Sequence, residues 1–262
     1  MKKIISVLLV FIMILTMVSC GKEETTYANK LEEIKAKGYI VIGTEGDWAP
    51  WTYYDESGAL VGFDVELGTM IAEILGVEAR FEETGWDSLL AGVDSERFDL
   101  LCNGVGYTED RAEKYEFSDP YAYTKTVLIV LGSNNDITSF SDLNGKKTAN
   151  TASSTYAQLA EEYGATVTPV DDFTQTIELL VQGRIDATLN SEVSYYDYMA
   201  QHPDADIKVV CMAEGTKVVL PVKKGEVELI DAINDALSEL RTSGQLSELS
   251  NKYFNGDITN AE

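Results

Sequence analysis

"RFDLLCNG", residues 97–104, returns as "RIDATLNS" at residues 184–191. Each copy runs Arg, an apolar residue, Asp, three mostly apolar residues and Asn. The first sits at the end of "WDSLLAGVDSERFDLLCNG" and the second at the end of "DDFTQTIELLVQGRIDATLNS". Both stretches read as helix, turn and strand. A phrase repeated in register at the same place in two like units predicts equivalent strands in two lobes built on one plan. The alternative is a chance likeness of two helix–turn–strand units, and the matching Asn argues against it.

Alternating elements surround each copy. "LEEIKAKGYIVIGTEG" reads as a helix closed by Gly38 and then a buried strand, Tyr39 to Gly43. "FDVELGTMIAEILGVEARFEET" places Leu67, Met70, Ile71 and Ile74 on one helical face, stops at Gly76 and continues as a strand near Glu78–Glu82. With the first copy this makes β-α-β-α-β, the pattern of a mostly parallel sheet covered by helices, hence an α/β fold. The pattern restarts after "TKTVLIVLGSNNDITSFSDLNG", with a strand at Lys147–Thr151, a helix at Ser154–Tyr163 and a strand at Thr166–Val170. Near the end, "VELIDAINDALSELRTSG" puts Leu229, Ile233, Ala236, Leu237 and Leu240 on one face, with Gly244 as the stop. No β-α-β unit follows, so this helix is expected back on the first lobe. The chain then crosses between lobes twice, near Thr126–Gly132 and near Val209–Lys217, and two β-rich crossings make a hinge. Residues 31–127 and 216–262 are assigned to the first lobe and 128–215 to the second.

A chain of 262 residues is long enough for two such lobes. Its start is expected to lie outside the fold. Lys2 and Lys3 precede an apolar run from Ile4 to Val18 that ends in "TMVSC", the form of a secretory signal. A Cys straight after a small residue suggests lipoprotein processing, with residues 1–19 removed, Cys20 lipidated and residues 20–30 as a tether. Plain secretion or an uncleaved anchor is the alternative. Loss of the two lysines takes the formal charge from −24 to −26. So acidic a surface argues against nucleic acid and against charge-driven attachment to anionic lipid, which leaves the lipid anchor to hold the protein at a membrane. Cys102 and Cys211 lie in apolar runs and are expected as buried free thiols; there is no CxxC or Cys/His metal spacing. The one histidine, His202, lies in the loop-like "QHPDAD". No Ser-His-Asp set or phosphate loop is present, so no catalysis, cofactor or metal is expected.

Four motifs in order carry a family resemblance. "VIGTEGDWAPWTYYDESGALVGFDVEL", "NGVGYTEDRAEKYEFSDPYAY", "SDLNGKKTANTASSTYAQLAEEYGA" and the closing "SELSNKYF" resemble the polar amino-acid substrate-binding proteins of ABC importers, bacterial solute-binding protein family 3. The likeness runs from about Leu31 to Phe254. "GTEG", "TGWDSLLAG", "NGVG" and "AEEYGATVTPVDDFTQTIELLVQGRIDATLN" are most similar to the cystine- and cysteine-binding branch. The resemblance implies a two-lobe periplasmic-binding-protein fold (type II, Venus-flytrap). Such a protein is a monomer that closes on one polar amino acid, expected to be cystine or cysteine, and hands it to an ABC permease. A ligand that drives closure must bind the closed state better than the open one, so it must touch both lobes.

The family's site carries over residue by residue. The carboxylate-binding Arg of "TEDR" is Arg111, whose guanidinium can offer two parallel charge-assisted hydrogen bonds. It could instead pair with Asp110 or Glu113. Backbone N–H groups at Gly104 and Gly106 are implied as carboxylate partners, with Gly106 standing where the family often has Thr or Ser. From the second lobe Ser153, Ser154 and Thr155 open a helix as an anion site, although plain N-capping is also open to them. Thr151 and Tyr156 flank it. Glu45, Trp48 and Trp86 carry over as the side-chain pocket, with Trp51 beneath. Asn103 and Asn190 are expected to face the cleft from opposite sides. The family's ammonium-binding Asp falls at Ser191, so Glu192 or Glu45 is expected to supply the charge, because a buried ammonium without an acid costs several kcal/mol. A sensor role on the same fold, or a dehydratase-type enzyme, is the competing reading.

Overall fold

The computed structural model describes residues 26–261. The expected leader, Cys20 and the first residues of the tether lie outside them. The first lobe opens with α1 (Lys30–Lys37) and β1 (Tyr39–Thr44). A small antiparallel sheet of β2 (Asp47–Trp48), β3 (Thr52–Tyr54) and β4 (Leu60–Val61) follows, then α2 (Phe63–Leu75), β5 (Glu78–Glu83), α3 (Trp86–Asp94) and β6 (Leu100–Leu101). β1 pairs in parallel with β5 on one side and β6 on the other. α4 (Glu109–Ala112) and β7 (Tyr115–Phe117) lead into the long β8 (Ala122–Leu131).

In the second lobe β9 (Lys147–Asn150) and β10 (Thr166–Pro169) pair in parallel around α5 (Thr155–Glu162), and α6 (Phe173–Val181), β11 (Thr188–Ser191) and α7 (Glu192–Gln201) follow. β12 (Ile207–Val218) returns antiparallel to β8, and β11 pairs antiparallel to β8 on its other edge. This lobe is therefore mixed rather than mostly parallel. β13 (Pro221–Lys223), α8 (Val227–Ser243) and α9 (Gln245–Phe254) complete the first lobe.

The echoed Asp does the same work in both lobes. Asp99 Oδ2 accepts from Val41 N at 2.9 Å, and Asp186 Oδ2 accepts from Lys147 N at 2.8 Å. Each carboxylate thus ties the strand of its own phrase to the opening strand of its lobe. α8 buries Leu229, Ile233, Ala236, Leu237 and Leu240 against Ile40, Ile42, Leu67 and Ile71 of the first lobe. Each of these leucine and isoleucine side chains contributes about 1.5–3 kcal/mol on burial. Gly76 (φ 75°) and Gly244 (φ 85°) end α2 and α8 in the left-handed conformation that only glycine adopts freely.

Two expectations need correcting. On α2 Ile74 is exposed and Gly68 and Ala72 are buried. The stripe turns because Gly68 lies against Ile42 and Cys102, where an added Cβ would sit 3.1 and 3.3 Å from their side chains. The first crossing also comes early: Tyr121 and Ala122 pack in the first lobe, whereas Val127 and Ile129 already pack in the second. Both cysteines are free, Cys102 fully buried and Cys211 only half-buried.

Asp64, fully buried in α2, accepts from Gly104 N and, at 2.8 Å, from Tyr121 Oη. Burial outweighs both bonds and pushes its pKa up to about 7. The folded form therefore holds a proton that the unfolded chain releases near its ordinary value. The stability this brings is whole in acid and is lost as pH rises from about 4 to about 7. The melting temperature of Asp64→Asn should lack that decline, and the wild-type-minus-variant difference should fall across the window. A flat difference would remove Asp64 as its source.

Candidate functional site

The two lobes touch across a cleft. Trp48 Nε1 donates to Asn190 Oδ1 at 3.3 Å, and Arg111 donates from Nη2 to the Ser153 carbonyl at 3.3 Å. The Ser153 N–H and hydroxyl donate to Asp87 Oδ1 at 3.0 and 2.6 Å. Between the lobes lies a cleft that encloses about 770 Å³ of space, the open solvent at its mouth included.

On the first-lobe side the chain leaves β1 through Thr44 into Glu45. Asn103, fully buried, accepts from Glu45 N at 2.8 Å and donates from Nδ2 to Glu45 Oε2. Asn103 therefore does not face the cleft as expected; it holds Glu45, which does. Glu45 Oε1 also accepts from Trp86 N at 3.1 Å. Burial, assisted by the nearby Asp47 and Asp87, raises the Glu45 pKa to about 7 against the opposing Asn103 and Trp86 hydrogen bonds. Trp48 and Trp86 line the cleft. Trp48 stacks on the fully buried Trp51 with centroids 5.7 Å apart, so Trp51 lies beneath the site. Gly104 and Gly106 line the cavity too, and a Cβ at Gly104 would come within 2.6 Å of Trp48. The Gly104 N–H, expected on the ligand, is committed to Asp64.

Arg111 is 7% exposed and lies directly behind this wall. Thr108 caps its short helix, α4, by accepting from Arg111 N at 3.2 Å. The guanidinium donates to the Gly106 carbonyl at 2.9 Å and lies 5.3 Å from the Trp86 ring centroid. Neither Asp110 nor Glu113 pairs with it, and among the described residues no carboxylate forms an ion pair with it. Burial lowers its pKa. Close by, the buried Trp86 Nε1 has no acceptor among the described residues.

On the second-lobe side Thr151, Ser154, Thr155 and Tyr156 line the cavity. The Ser154 hydroxyl is taken by its capping role: it accepts from Ala157 N at 3.1 Å and donates to the Thr151 carbonyl at 2.7 Å. Ser153 is likewise occupied by Asp87 and Arg111. What the helix start offers an anion is the first-turn backbone N–H groups of Thr155 and Tyr156, which have no intrahelical acceptor. Asn190 lines the cleft, but Ser191 and Glu192 do not. Ser191 caps α7, and Glu192 Oε1 accepts from Lys125 N at 3.1 Å on the hinge strand. Of the two acids expected to serve in place of Ser191, only Glu45 reaches the cavity.

Several cleft residues gave no separate signal in the sequence: Asp47, Thr124, Asn150, Asp171 and Asp172. Asn150 occupies in the second lobe the place that Glu45 adjoins in the first, the end of the opening strand. Equivalence of the lobes was the signal that could have found it.

Known proteins resemble the chain over most of its length. Residues 40–256 match the family described as bacterial extracellular solute-binding proteins, family 3. The L-cystine-binding protein TcyA of Bacillus subtilis is 36% identical, over 99% of this chain and 100% of its own. An ancestral arginine-binding protein solved bound to arginine is 33% identical, with a TM-score of 0.79 over 83% of this chain and 98% of its own. The L-cystine solute receptor of Neisseria gonorrhoeae, solved unliganded and open, is 39% identical over 88% of this chain and 99% of its own, yet its TM-score is 0.61. In the present chain, hydrogen bonds join the two lobes across the cleft.

Proposed function

The chain belongs to the bacterial extracellular solute-binding proteins of family 3, and on that premise we propose that it closes on L-cystine and delivers it to an ABC permease. That the ligand is an amino acid, in an ABC transport context, follows from its relatives, which are solute-binding proteins rather than enzymes. The finer choice of cystine is favoured by the identity with TcyA and with the Neisseria receptor. Attachment through a lipid on Cys20 fits the sequence of the leader.

One observation carries the reading: a buried guanidinium without a carboxylate partner among the described residues, beside free N–H groups at the start of α5 across the cleft. A ligand carboxylate completes both, and it does so only when the lobes meet. Trp48 and Trp86 flank the space for the aliphatic and sulfur atoms. Glu45 takes the ammonium group.

Glu45 supplies the test. With the lobes together and no ligand, burial raises its pKa to about 7, and pairing with an ammonium group expels the proton it holds. Affinity should therefore climb by about tenfold per pH unit between pH 5.5 and 7 and level off above. In Glu45→Gln the slope should vanish and the affinity should stay low at pH 7.5. Calorimetric titration with L-cystine reads both. An unaltered pH profile in Glu45→Gln would assign the ammonium to another group.

A further inference from the structure

Beyond Glu45 the cleft carries acids from both lobes. Asp47 comes from β2 of the first lobe, and Asp171 and Asp172 come from the turn between β10 and α6 of the second. Asp172 caps α6 by accepting from Gln175 N at 2.8 Å, while Asp47 and Asp171 are exposed at the mouth. Burial, and after it the charges of Asp172, Asp171 and Glu83, raise the Asp47 pKa, so these acids act on one another across the cleft. Closure brings like charges from opposite lobes together, which opposes closing unless a cation enters between them.

A second observation points to a ligand in the same place. Asn150, 3% exposed, lines the cavity at the end of β9, and its carbonyl accepts from Val170 N, the residue before Asp171. Its Nδ2 donates to the Leu189 carbonyl at 2.7 Å, which fixes the amide, but its Oδ1 has no donor among the described residues. The Thr124 hydroxyl, 8% exposed on the hinge strand, is likewise unpartnered and lines the cavity. Buried acceptors without donors are costly, and a ligand N–H group satisfies them.

We propose that Asp47, Asp171 and Asp172, with the buried Asn150 Oδ1, receive a second cationic nitrogen at the far end of the ligand, so that the protein selects amino acids with a distal ammonium group over those with none. The inference rests on Arg111 holding the ligand's α-carboxylate. It separates cystine, which has a second ammonium group, from cysteine, which does not. A diamino acid such as ornithine shares the chemistry without the disulfide.

Titration of the full chain with L-cystine, L-ornithine and S-methyl-L-cysteine tests this. S-methyl-L-cysteine keeps the α-amino acid and the sulfur but lacks the distal cation. Wild type should bind cystine or ornithine about tenfold more tightly than S-methyl-L-cysteine, the sum of several partly solvated ion pairs. In the double variant Asp47→Asn/Asp171→Asn that ratio should collapse toward one, and the ratio is insensitive to general damage to the fold. Cystine above ornithine marks a disulfide-linked ligand, and the reverse marks a diamino acid; either supports the proposal. Equal affinities in wild type, or an unchanged ratio in the variant, overturn it while leaving the amino-acid reading intact. No binding by any of the three overturns both.

Discussion

Arg111→Ala lowers the affinity for the bound amino acid by about 2–5 kcal/mol, the penalty for removing one partner of a buried, hydrogen-bonded charge pair. The fold is expected to survive. Arg111 is buried without a carboxylate partner among the described residues, so its removal costs the unliganded protein two hydrogen bonds to carbonyls, those of Gly106 and Ser153, and relieves a desolvated charge. The unliganded melting temperature should therefore move little while the ligand-induced rise in melting temperature disappears. Arg111→Lys keeps the charge but loses the planar fork, and should fall between the two. Titration calorimetry and melting curves with and without L-cystine distinguish a lost site from a damaged fold.

Trp51→Ala has the largest effect expected on stability, about 3–5 kcal/mol. Trp51 is fully buried, packs edge-on against Phe63 with centroids 5.8 Å apart, and meets Phe254 of α9 at 4.9 Å. Its loss opens a cavity where the small β2–β4 sheet, α2 and the last helix converge. The variant should melt at a markedly lower temperature, by roughly 2–4 °C for each kcal/mol in a chain of this size. Ligand affinity should fall as well, because Trp48 would lose the ring on which it stacks. Trp51→Phe refills part of the space and should recover part of both. A melting curve like that of wild type would show that the aromatic cluster is not what fixes this wall of the cleft.

Much of the architecture was legible in the echoed phrase. Its Asp residues bridge to the opening strand of each lobe, which is why the pattern had to occur twice. The stop glycines and the apolar stripe of α8 were equally plain, because helix ends and faces are set by local periodicity. The turn of the α2 stripe was not. Gly68 is buried by close approach of Ile42 and Cys102, and apolar periodicity assigns no weight to a residue without a side chain.

At the site, Arg111, Trp48, Trp86 and Glu45 were named through their motifs, and the structure places all four at or just behind the cleft wall. Their partners were less legible. Asn103 looked like a cleft residue and is instead the support of Glu45. Gly104 donates inward to Asp64, a buried acid that sequence alone reads as an ordinary first-turn helix residue. Glu192 follows Ser191 directly, but the start of α7 carries it to the hinge backbone. Asp171 and Asp172 read as solvated turn acids, because their nearness to Asp47 exists only when the two lobes meet.

The most direct measurement is a calorimetric titration of the wild-type protein with L-cystine at pH 7.5, repeated with Arg111→Ala. One ligand per molecule, with the heat lost in a variant that still melts like wild type, is the expected result. No heat from L-cystine or any other α-amino acid, or an isotherm unaltered by Arg111→Ala, would contradict the account.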